Sequence, residues 1–171
     1  MFSSGAEDFH NTRISIIEGN ILALVERESP LHKNIIKRRI ADLYKIRIGS
    51  RIDEKLDRAI NNLIFYRKVK SRGEFLYSIN HSRNVLRVYD GVTKRKIDEI
   101  TPQEIMLAIM ECVKNSYSIG EVDLIKETAR LFGLQARNKT SFTIRKAIQK
   151  MIDNDYLQLK FGKIILGQKM E

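Results

Sequence analysis

The sequence predicts a mainly α protein with small β-hairpins (α+β), organised as two tandem winged helix-turn-helix units. Three observations lead to this prediction: a helical run that leads into a basic β-hairpin, two amphipathic helices before that run, and a second copy of the pattern in the other half of the chain. With 171 residues, the chain is long enough for two units of roughly 70 residues that each bury a core.

Two amphipathic segments open the first unit. Residues 14–28 carry apolar side chains at helical spacing and predict the first helix. Ser29-Pro30 then marks the start of a new helix, because Ser caps helix N-termini and Pro fits the first helical turn. A second helix is therefore expected over residues 31–44, with Leu43 facing inward.

The third helical run, which begins after Gly49, has three different faces. The apolar face consists of Ile52, Leu56, Ala59, Ile60, Leu63 and Ile64. A line of basic and amide side chains occupies another side: Arg51, Lys55, Arg58 and Asn62. Acidic side chains fall between these two faces: Asp53, Glu54 and Asp57. We expect the apolar face to be core and the basic line to be exposed.

A basic hairpin follows this helix directly. Residues 68–71 and 74–77 have strand character, and Arg72-Gly73 forms the expected turn, where Gly can take a positive φ. A helix followed by a basic hairpin is typical of the second half of a winged helix-turn-helix.

The second half of the chain repeats the first at a constant offset. Ile105 lies 88 positions after Ile17, and no gap is needed across three helices. The matched apolar pairs are Ile17 and Ile105, Ile21 and Ile109, Val25 and Val113, Ala41 and Ala129, Leu43 and Leu131, Ala59 and Ala147, Ile60 and Ile148, and Ile64 and Ile152. The basic line maps onto Lys139, Thr143, Lys146 and Lys150, so its positive character persists.

Residues typical of helix ends also occur in the second half and support a second set of helices there. Thr101-Pro102-Gln103-Glu104 and Ser118 with Glu121 have the pattern of capping boxes, and Gly133 is suited to end the second helix. The third helix is expected over 140–154. The second hairpin is expected over 156–160 and 163–166, with Phe161-Gly162 as its turn.

These elements divide the chain into four parts. We expect a disordered tail or a ragged domain edge over 1–13, winged helices over 14–80 and 100–167, and a linker over 81–99. Alternating apolar residues in the linker leave an added strand as an alternative to a free tether. Its basic run, Lys94 to Lys96, is suited to touch phosphate or simply to be solvated.

The charge balance favours a polyanion partner. The chain has 31 Lys and Arg against 21 Asp and Glu, a net charge of +10 and a pI near 9.8. Residues 1–80 carry 15 basic and 10 acidic side chains, whereas residues 99–171 carry 11 and 9, so the first unit should dominate binding. A heat-adapted surface rich in Lys, Arg and Glu is the alternative explanation.

Other sequence features point to a cytoplasmic protein without catalytic chemistry. Cys112 is the single cysteine, which excludes an internal disulfide, and no apolar run approaches the length of a membrane span. The three histidines are scattered, and neither a GxxxxGK[ST] loop nor a GxGxxG turn occurs. We therefore expect no enzyme activity, no cofactor and no bound metal.

The predicted function is binding of duplex DNA with low sequence selectivity. The third helices would enter the major groove, and the hairpins would follow the flanking backbone. The candidate residues on the helices are Arg51, Lys55, Arg58, Asn62, Lys139, Lys146 and Lys150, and those on the hairpins are Arg67, Lys68, Lys70, Arg72, Lys160 and Lys163. Only Asn62 in the first line can pair with adenine in a bidentate manner, which limits base reading. RNA binding, the target and the oligomeric state stay open.

Two other functions remain alternatives. A protein-interaction scaffold would depend on exposed aromatic side chains among Phe75, Tyr77, Tyr89, Phe142 and Phe161, although burial under the hairpins is the simpler expectation for them. A stand-alone transcription regulator would act as a dimer and leave a palindromic footprint.

Three sequence stretches resemble a known family. They are GSRI at 49–52, GEFL at 73–76 and RKIDEITPQEI at 95–105. With these motifs the chain from Ile14 onward resembles the uncharacterised domain found near the C-terminal end of very large prokaryotic superfamily-1 helicase proteins, some of which also carry a restriction-endonuclease-like domain. The second unit departs from the pattern, with RNKTS at 137–141. The resemblance implies an accessory part of nucleic-acid machinery, with other domains of a helicase-type protein as partners.

Overall fold

The computed structural model describes residues 9–82 and 85–170. The described residues form two compact units, the first within Met1–Arg83 and the second within Asn84–Glu171. Both consist mainly of helices with a small antiparallel sheet. The predicted fold class, mainly α with small β-hairpins, is confirmed at this level.

The described part of the first unit contains three long helices and a three-stranded sheet. In chain order the elements are α1 (Ile14–Glu28), β1 (Leu31–His32), α2 (Lys33–Leu43), α3 (Ser50–Phe65), β2 (Val69–Arg72) and β3 (Phe75–Ser78). Strand β3 lies in the middle of the sheet and is antiparallel to both neighbours. The hairpin of β2 and β3 therefore follows α3 and is joined by the short strand that separates α1 from α2.

The second unit has the same order of elements. These are α4 (Pro102–Ser116), α5 (Glu121–Leu131), α6 (Asn138–Asp153), β4 (Leu157–Lys160) and β5 (Lys163–Leu166). Between α4 and α5, an isolated bridge joins Ile119 to Ile164 and takes the place of β1. Single 3-10 turns precede and follow these elements, at Ile97–Glu99 and Gln168–Met170.

The offset of 88 residues is confirmed for every helix and every hairpin strand. Helix α4 begins and ends 88 residues after α1, and the same holds for α5 and α2, for α6 and α3, and for the two hairpins. Even the bridge between Ile119 and Ile164 corresponds to the pairing of Leu31 with Leu76. The two units therefore share their element lengths and their strand register.

Each unit has a separate hydrophobic core, and the two cores are built from equivalent positions. Three such pairs of fully buried side chains are Ile21 and Ile109, Leu56 and Ile144, and Leu76 and Ile164. Burying one aliphatic side chain of this size contributes about 1.5–3 kcal/mol relative to exposure. The helices form where they do because their apolar stripes close these cores.

The expected disordered tail is wrong for residues 9–13. Phe9 is helical, has an exposed fraction of 0%, and packs edge-on against Tyr44 with 5.0 Å between ring centroids. It lies 88 residues before Ile97, which is buried in the second core, so the repeat begins before the first long helix. Residues 1–8 belong to the same prediction but lie outside the described residues.

Three local predictions in the first unit are corrected. Ser29-Pro30 does not start α2, because Leu31–His32 first pair with β3, and His32 caps the helix by accepting a hydrogen bond from the Asn34 N–H. Leu43, the last residue of α2, is 62% exposed rather than buried. The first hairpin turn is Gly73-Glu74, one residue later than predicted, because Arg72 pairs with Phe75.

The linker contains no strand among its described residues, so the added strand is wrong. Instead the segment packs on the second unit: the Tyr89 N–H donates to the carbonyl oxygen of Leu131 at 2.7 Å. The carboxylate of Glu104, which is 1% exposed, forms salt bridges with Arg87 and Arg95 of this segment. These bonds attach the linker to the N-terminal end of α4.

Of the two predicted capping boxes, only one cap forms. The Thr101 hydroxyl accepts from the Glu104 N–H at 3.2 Å, whereas the Glu104 carboxylate turns to the two arginines instead of completing a box. The cap expected at Ser118 is wrong, since Gly120 precedes α5 and no side chain caps it. Gly133 has a φ of +67°, as expected for a residue that ends a helix.

Candidate nucleic-acid interface

The predicted basic line on α3 is divided by the structure into two different surfaces. Arg51 and Arg58 are exposed, whereas Lys55 and Asn62 are partly buried and bonded to the N-terminal part of the unit. The division arises because α3 packs lengthwise against α1. The edge of the basic line that carries Lys55 and Asn62 therefore lies where α3 packs against the N-terminal part of the unit.

Lys55 serves the fold rather than a ligand. Its Nζ atom donates to the carbonyl oxygens of Phe9, His10 and Thr12, at 2.9, 2.8 and 2.7 Å. The ammonium lies 5.4 Å from the centroid of the Phe9 ring, and burial lowers the pKa of Lys55. All three of its N–H donors are used within the unit, which argues against the predicted contact of Lys55 with DNA.

Asn62 is also engaged within the unit. Its Nδ2 atom donates to Glu18 Oε1 on α1 at 2.6 Å. A side-chain amide held in this way does not present its donor and acceptor together to an adenine edge. This bond argues against the predicted base contact of Asn62.

Two carboxylates on the acidic face of α3 are neutralised by a lysine of α2. Lys37 Nζ lies 2.7 Å from Asp53 Oδ1 and 2.8 Å from Asp57 Oδ2. Burial alone would lower the pKa of Lys37, but its hydrogen bonds to both carboxylates and its attraction to them raise the pKa above the ordinary value. Asp53 and Asp57 therefore hold the two helices together, whereas the exposed Glu54 shares the outer edge of α3 with Arg51 and Arg58.

The first hairpin presents four exposed cations. Arg67 and Lys68, which lead into β2, have no salt-bridge partner among the described residues. Lys70 Nζ donates to the carbonyl oxygen of Ile79 at 2.9 Å, and the guanidinium of Arg72 lies 5.5 Å from the Tyr77 ring centroid. The two latter contacts orient the side chains but leave their positive charge unneutralised.

The second unit carries its candidate cations on α6 and on the second hairpin. Lys146, Lys150, Lys160 and Lys163 are exposed and have no salt-bridge partner in the described part of the chain. Lys139 differs, because its Nζ atom lies 2.9 Å from Asp98 Oδ2. The unpaired candidate cations of this unit therefore lie along α6 beyond its first turn and at the hairpin.

Comparisons with known proteins leave the chain without a family. No family model matches it, and no curated protein matches it. A solved structure titled Nse1-Nse3-Nse4 complex is similar with a TM-score of 0.33 and 13% sequence identity, over 92% of this chain and 71% of that chain. At this TM-score the similarity assigns neither fold nor function.

The predicted aromatic residues have different environments. Tyr77 is buried, and Phe75 and Tyr89 are half-buried. Phe142 and Phe161 are exposed, at 67% and 103%, so burial was the wrong expectation for these two.

Sequence reasoning missed a further aromatic pair, Phe65 and Tyr66 at the end of α3. Both are exposed, and their rings pack edge-on with 5.2 Å between centroids. The available signal was their position beyond the apolar stripe of α3, directly before Arg67 and Lys68. The equivalents of Phe65, Tyr66 and Arg67 in the second unit are Asp153, Asn154 and Asp155, so the two units differ in charge at this end of the third helix.

Neither a metal centre nor a membrane span is found within the part of the chain that the structure describes. Over these residues no group of three or more His, Cys, Asp and Glu side chains is placed to hold a metal ion. The described helices are too short or too polar to cross a bilayer.

Proposed function

We propose that the chain is a non-catalytic nucleic-acid-binding module made of two winged helix-turn-helix units, with duplex DNA as its main ligand. The order of elements supports the winged-helix assignment. In each unit a helix, a short strand or bridge, two further helices and a hairpin follow one another, and the first strand pairs with the second strand of the hairpin.

One observation carries the proposal: four exposed cations on α3 and at the base of the hairpin that follows it remain unneutralised. Arg51, Arg58, Arg67 and Lys68 have no carboxylate partner among the described residues. Lys37 and Arg39, by contrast, are paired with carboxylates. Exposed cations without internal partners bind phosphates at little desolvation cost and release counterions when they do so.

The expected selectivity is low. Asn62 is held by Glu18, which leaves Arg51 and Arg58 as the members of the predicted basic line that are available to a groove. Arginine can read guanine, but most arginine and lysine contacts in such complexes are made to phosphates, which carry no sequence information. We therefore infer general duplex binding, dominated by the first unit.

The resemblance of residues 49–52, 73–76 and 95–105 to a helicase-associated domain supports a biological setting. We propose that the module is accessory to helicase-type or nuclease-type DNA processing and that other domains of such a protein are its partners. RNA with a similar backbone is a second possible ligand, and a cytoplasmic location fits both.

A protein-interaction scaffold is the second candidate function, and the exposed pair Phe65 and Tyr66 favours it. Exposed aromatic side chains are enriched at protein interfaces. This candidate predicts no duplex binding even at low salt, whereas the first predicts strong binding there.

The test is a salt series with a labelled random-sequence duplex and three forms of the full chain. The wild type should show a steep fall of log affinity with log salt. Arg51→Gln/Arg58→Gln should flatten the slope by about 1.8, or about 0.9 for each lost phosphate contact. Arg27→Gln/Arg130→Gln is the matched control, because these two exposed arginines are already paired with Glu28 and Glu127.

The outcomes separate the two candidates. An unchanged slope in the control together with a flattened slope in the α3 variant supports the proposal. Equal slopes in all three forms, or no duplex binding at low salt, would overturn it and favour the scaffold.

A further inference from the structure

The turn of the second hairpin carries a large side chain that the fold does not use. Phe161 is 103% exposed and has a φ of +51°, in the left-handed region. Bulky residues with positive φ are strained, and such strain is concentrated at functional positions. Neither burial nor backbone preference therefore explains a phenylalanine at this turn.

The first unit shows what the turn requires. The residue 88 positions before Phe161 is Gly73, which has a φ of +56° and no side chain to strain. In the second hairpin both turn residues, Phe161 and Gly162, have positive φ, as in a type I′ turn, where glycine is favoured at either position. The second unit thus places a strained and exposed aromatic ring where the first unit has glycine.

Two cations flank this ring. Lys160 and Lys163 are directly opposite each other in the strand register and are both exposed. Neither has a salt-bridge partner among the described residues. Like charges directly opposite in a hairpin are destabilising, unless an anion lies near them. The tip therefore combines one exposed π-face with two unneutralised positive charges.

From this geometry we propose that Phe161 stacks on an unpaired nucleobase while Lys160 and Lys163 bind the adjoining phosphates. The preferred substrate is then a nucleic acid with unpaired nucleotides beside a duplex, such as a single-stranded extension or a fork. This inference rests on the proposed nucleic-acid-binding function and specifies its substrate class.

The aromatic ring and the two lysines at the hairpin tip indicate which kind of ligand it binds. An unpaired base offers a free π-face for an aromatic side chain, whereas the bases of a paired duplex are covered by their neighbours and must first be unstacked. A purely apolar partner would not require two lysines beside the ring. The combination of aromatic stacking and backbone cations is the usual one for single-stranded nucleic acid.

The test uses the full chain and two labelled DNAs: a blunt duplex, and the same duplex with a single-stranded extension whose first unpaired base is 2-aminopurine. Wild type should bind the extended DNA more tightly and quench the 2-aminopurine fluorescence. Phe161→Gly should weaken binding to the extended DNA about tenfold, or about 1.4 kcal/mol, with blunt-duplex affinity unchanged. Phe161→Trp should retain both the preference and the quenching.

Thermal melting and a matched variant serve as controls. Phe161→Gly should melt at the same temperature as the wild type or higher, because glycine relieves the positive φ. Tyr117→Gly removes another exposed aromatic residue with positive φ from the same unit, with an exposed fraction of 89% and a φ of +57°. Its affinity for both DNAs should equal that of the wild type.

The possible failures are distinct. Equal wild-type affinity for the two DNAs, or an unchanged affinity of Phe161→Gly for the extended DNA, would overturn this inference while duplex binding stands. A similar loss on both DNAs would overturn the preference for unpaired bases. Absence of binding to either DNA would overturn the proposed function together with this inference and leave the tip as a contact for another protein.

Discussion

The Nζ atom of Lys55 lies 2.7 Å from the carbonyl oxygen of Thr12. With the bonds to Phe9 and His10, this contact holds the start of the first unit against α3. The sequence placed Lys55 in a line of DNA-binding residues, whereas the structure uses its charge to close the fold. Substitution of Lys55 should therefore change the stability of the protein but not its binding of DNA.

Lys55→Met should lower the free energy of unfolding by roughly 2 kcal/mol, because three carbonyl oxygens lose a charged donor. The salt slope of DNA binding should not change. The comparison is Lys68→Met, which should alter stability by less than about 0.5 kcal/mol and flatten the slope. Urea unfolding and the duplex titration measure the two effects, and the opposite pattern would return Lys55 to the binding surface.

Lys37 provides a stability effect with a defined pH dependence. Lys37→Met should lower the free energy of unfolding by about 1 kcal/mol near neutral pH, because Asp53 and Asp57 lose their partner. The folded protein raises the pKa of Lys37, so its contribution is fully present below the ordinary value of 10.5 and is lost as the pH rises through the raised value.

The measurement for Lys37 is urea unfolding of both forms across the alkaline range. The difference in the free energy of unfolding between wild type and variant should be constant up to about pH 9 and should shrink only above the ordinary lysine pKa. A difference that already disappears between about pH 5 and pH 8 would contradict the assignment to the lysine ammonium.

Glu104 is expected to be the most sensitive charged residue of the second unit. Glu104→Ala should cost about 3–5 kcal/mol, because Arg87 and Arg95 then lose the carboxylate that compensates them. Glu104→Gln should cost less, since its amide oxygen still accepts the Arg87 N–H. Exposed Glu111 supplies the control, and Glu111→Gln should leave thermal melting unchanged. Equal effects of the Glu104 and Glu111 variants would show that the linker is not attached through this carboxylate.

The repeat yields a paired prediction at the end of the second helix of each unit. Lys45 and Gly133 are 88 residues apart and have positive φ values, +52° and +67°. Lys45→Gly should raise stability or leave it unchanged, because the strain of a non-glycine residue is relieved. Gly133→Ala should lower it by more than about 1 kcal/mol, since a Cβ there would overlap the Tyr89 ring. Thermal melting of the two variants checks both signs, and a stabilising Gly133→Ala would contradict the contact with Tyr89.

The helices and the hairpins could be predicted because their sequence pattern occurs twice, once in each half of the chain. Apolar positions such as Ile21 and Ile109 recur at the fixed offset, and the observed elements keep that offset at both ends. The offset also contained a signal for the buried Phe9, which corresponds to Ile97. That signal was lost because residues before Ile14 lack helical periodicity.

The candidate interface was harder to predict, for a physical reason. Projection of α3 separates polar from apolar sides but does not show which polar edge meets a neighbouring helix. Lys55 and Asn62 lie on the edge that meets the N-terminal segment and α1, whereas Arg58 lies on the free edge. The exposed Phe161 was missed because aromatic residues near strands usually pack inward, and only the three-dimensional turn shows that this one does not.

The two hairpins have the same length, so one can replace the other. Residues 69–78 and 157–166 have the same number of positions, the same register and a two-residue turn at the same place. Each hairpin tip can therefore be transplanted onto the other unit without lengthening the chain or shifting a strand.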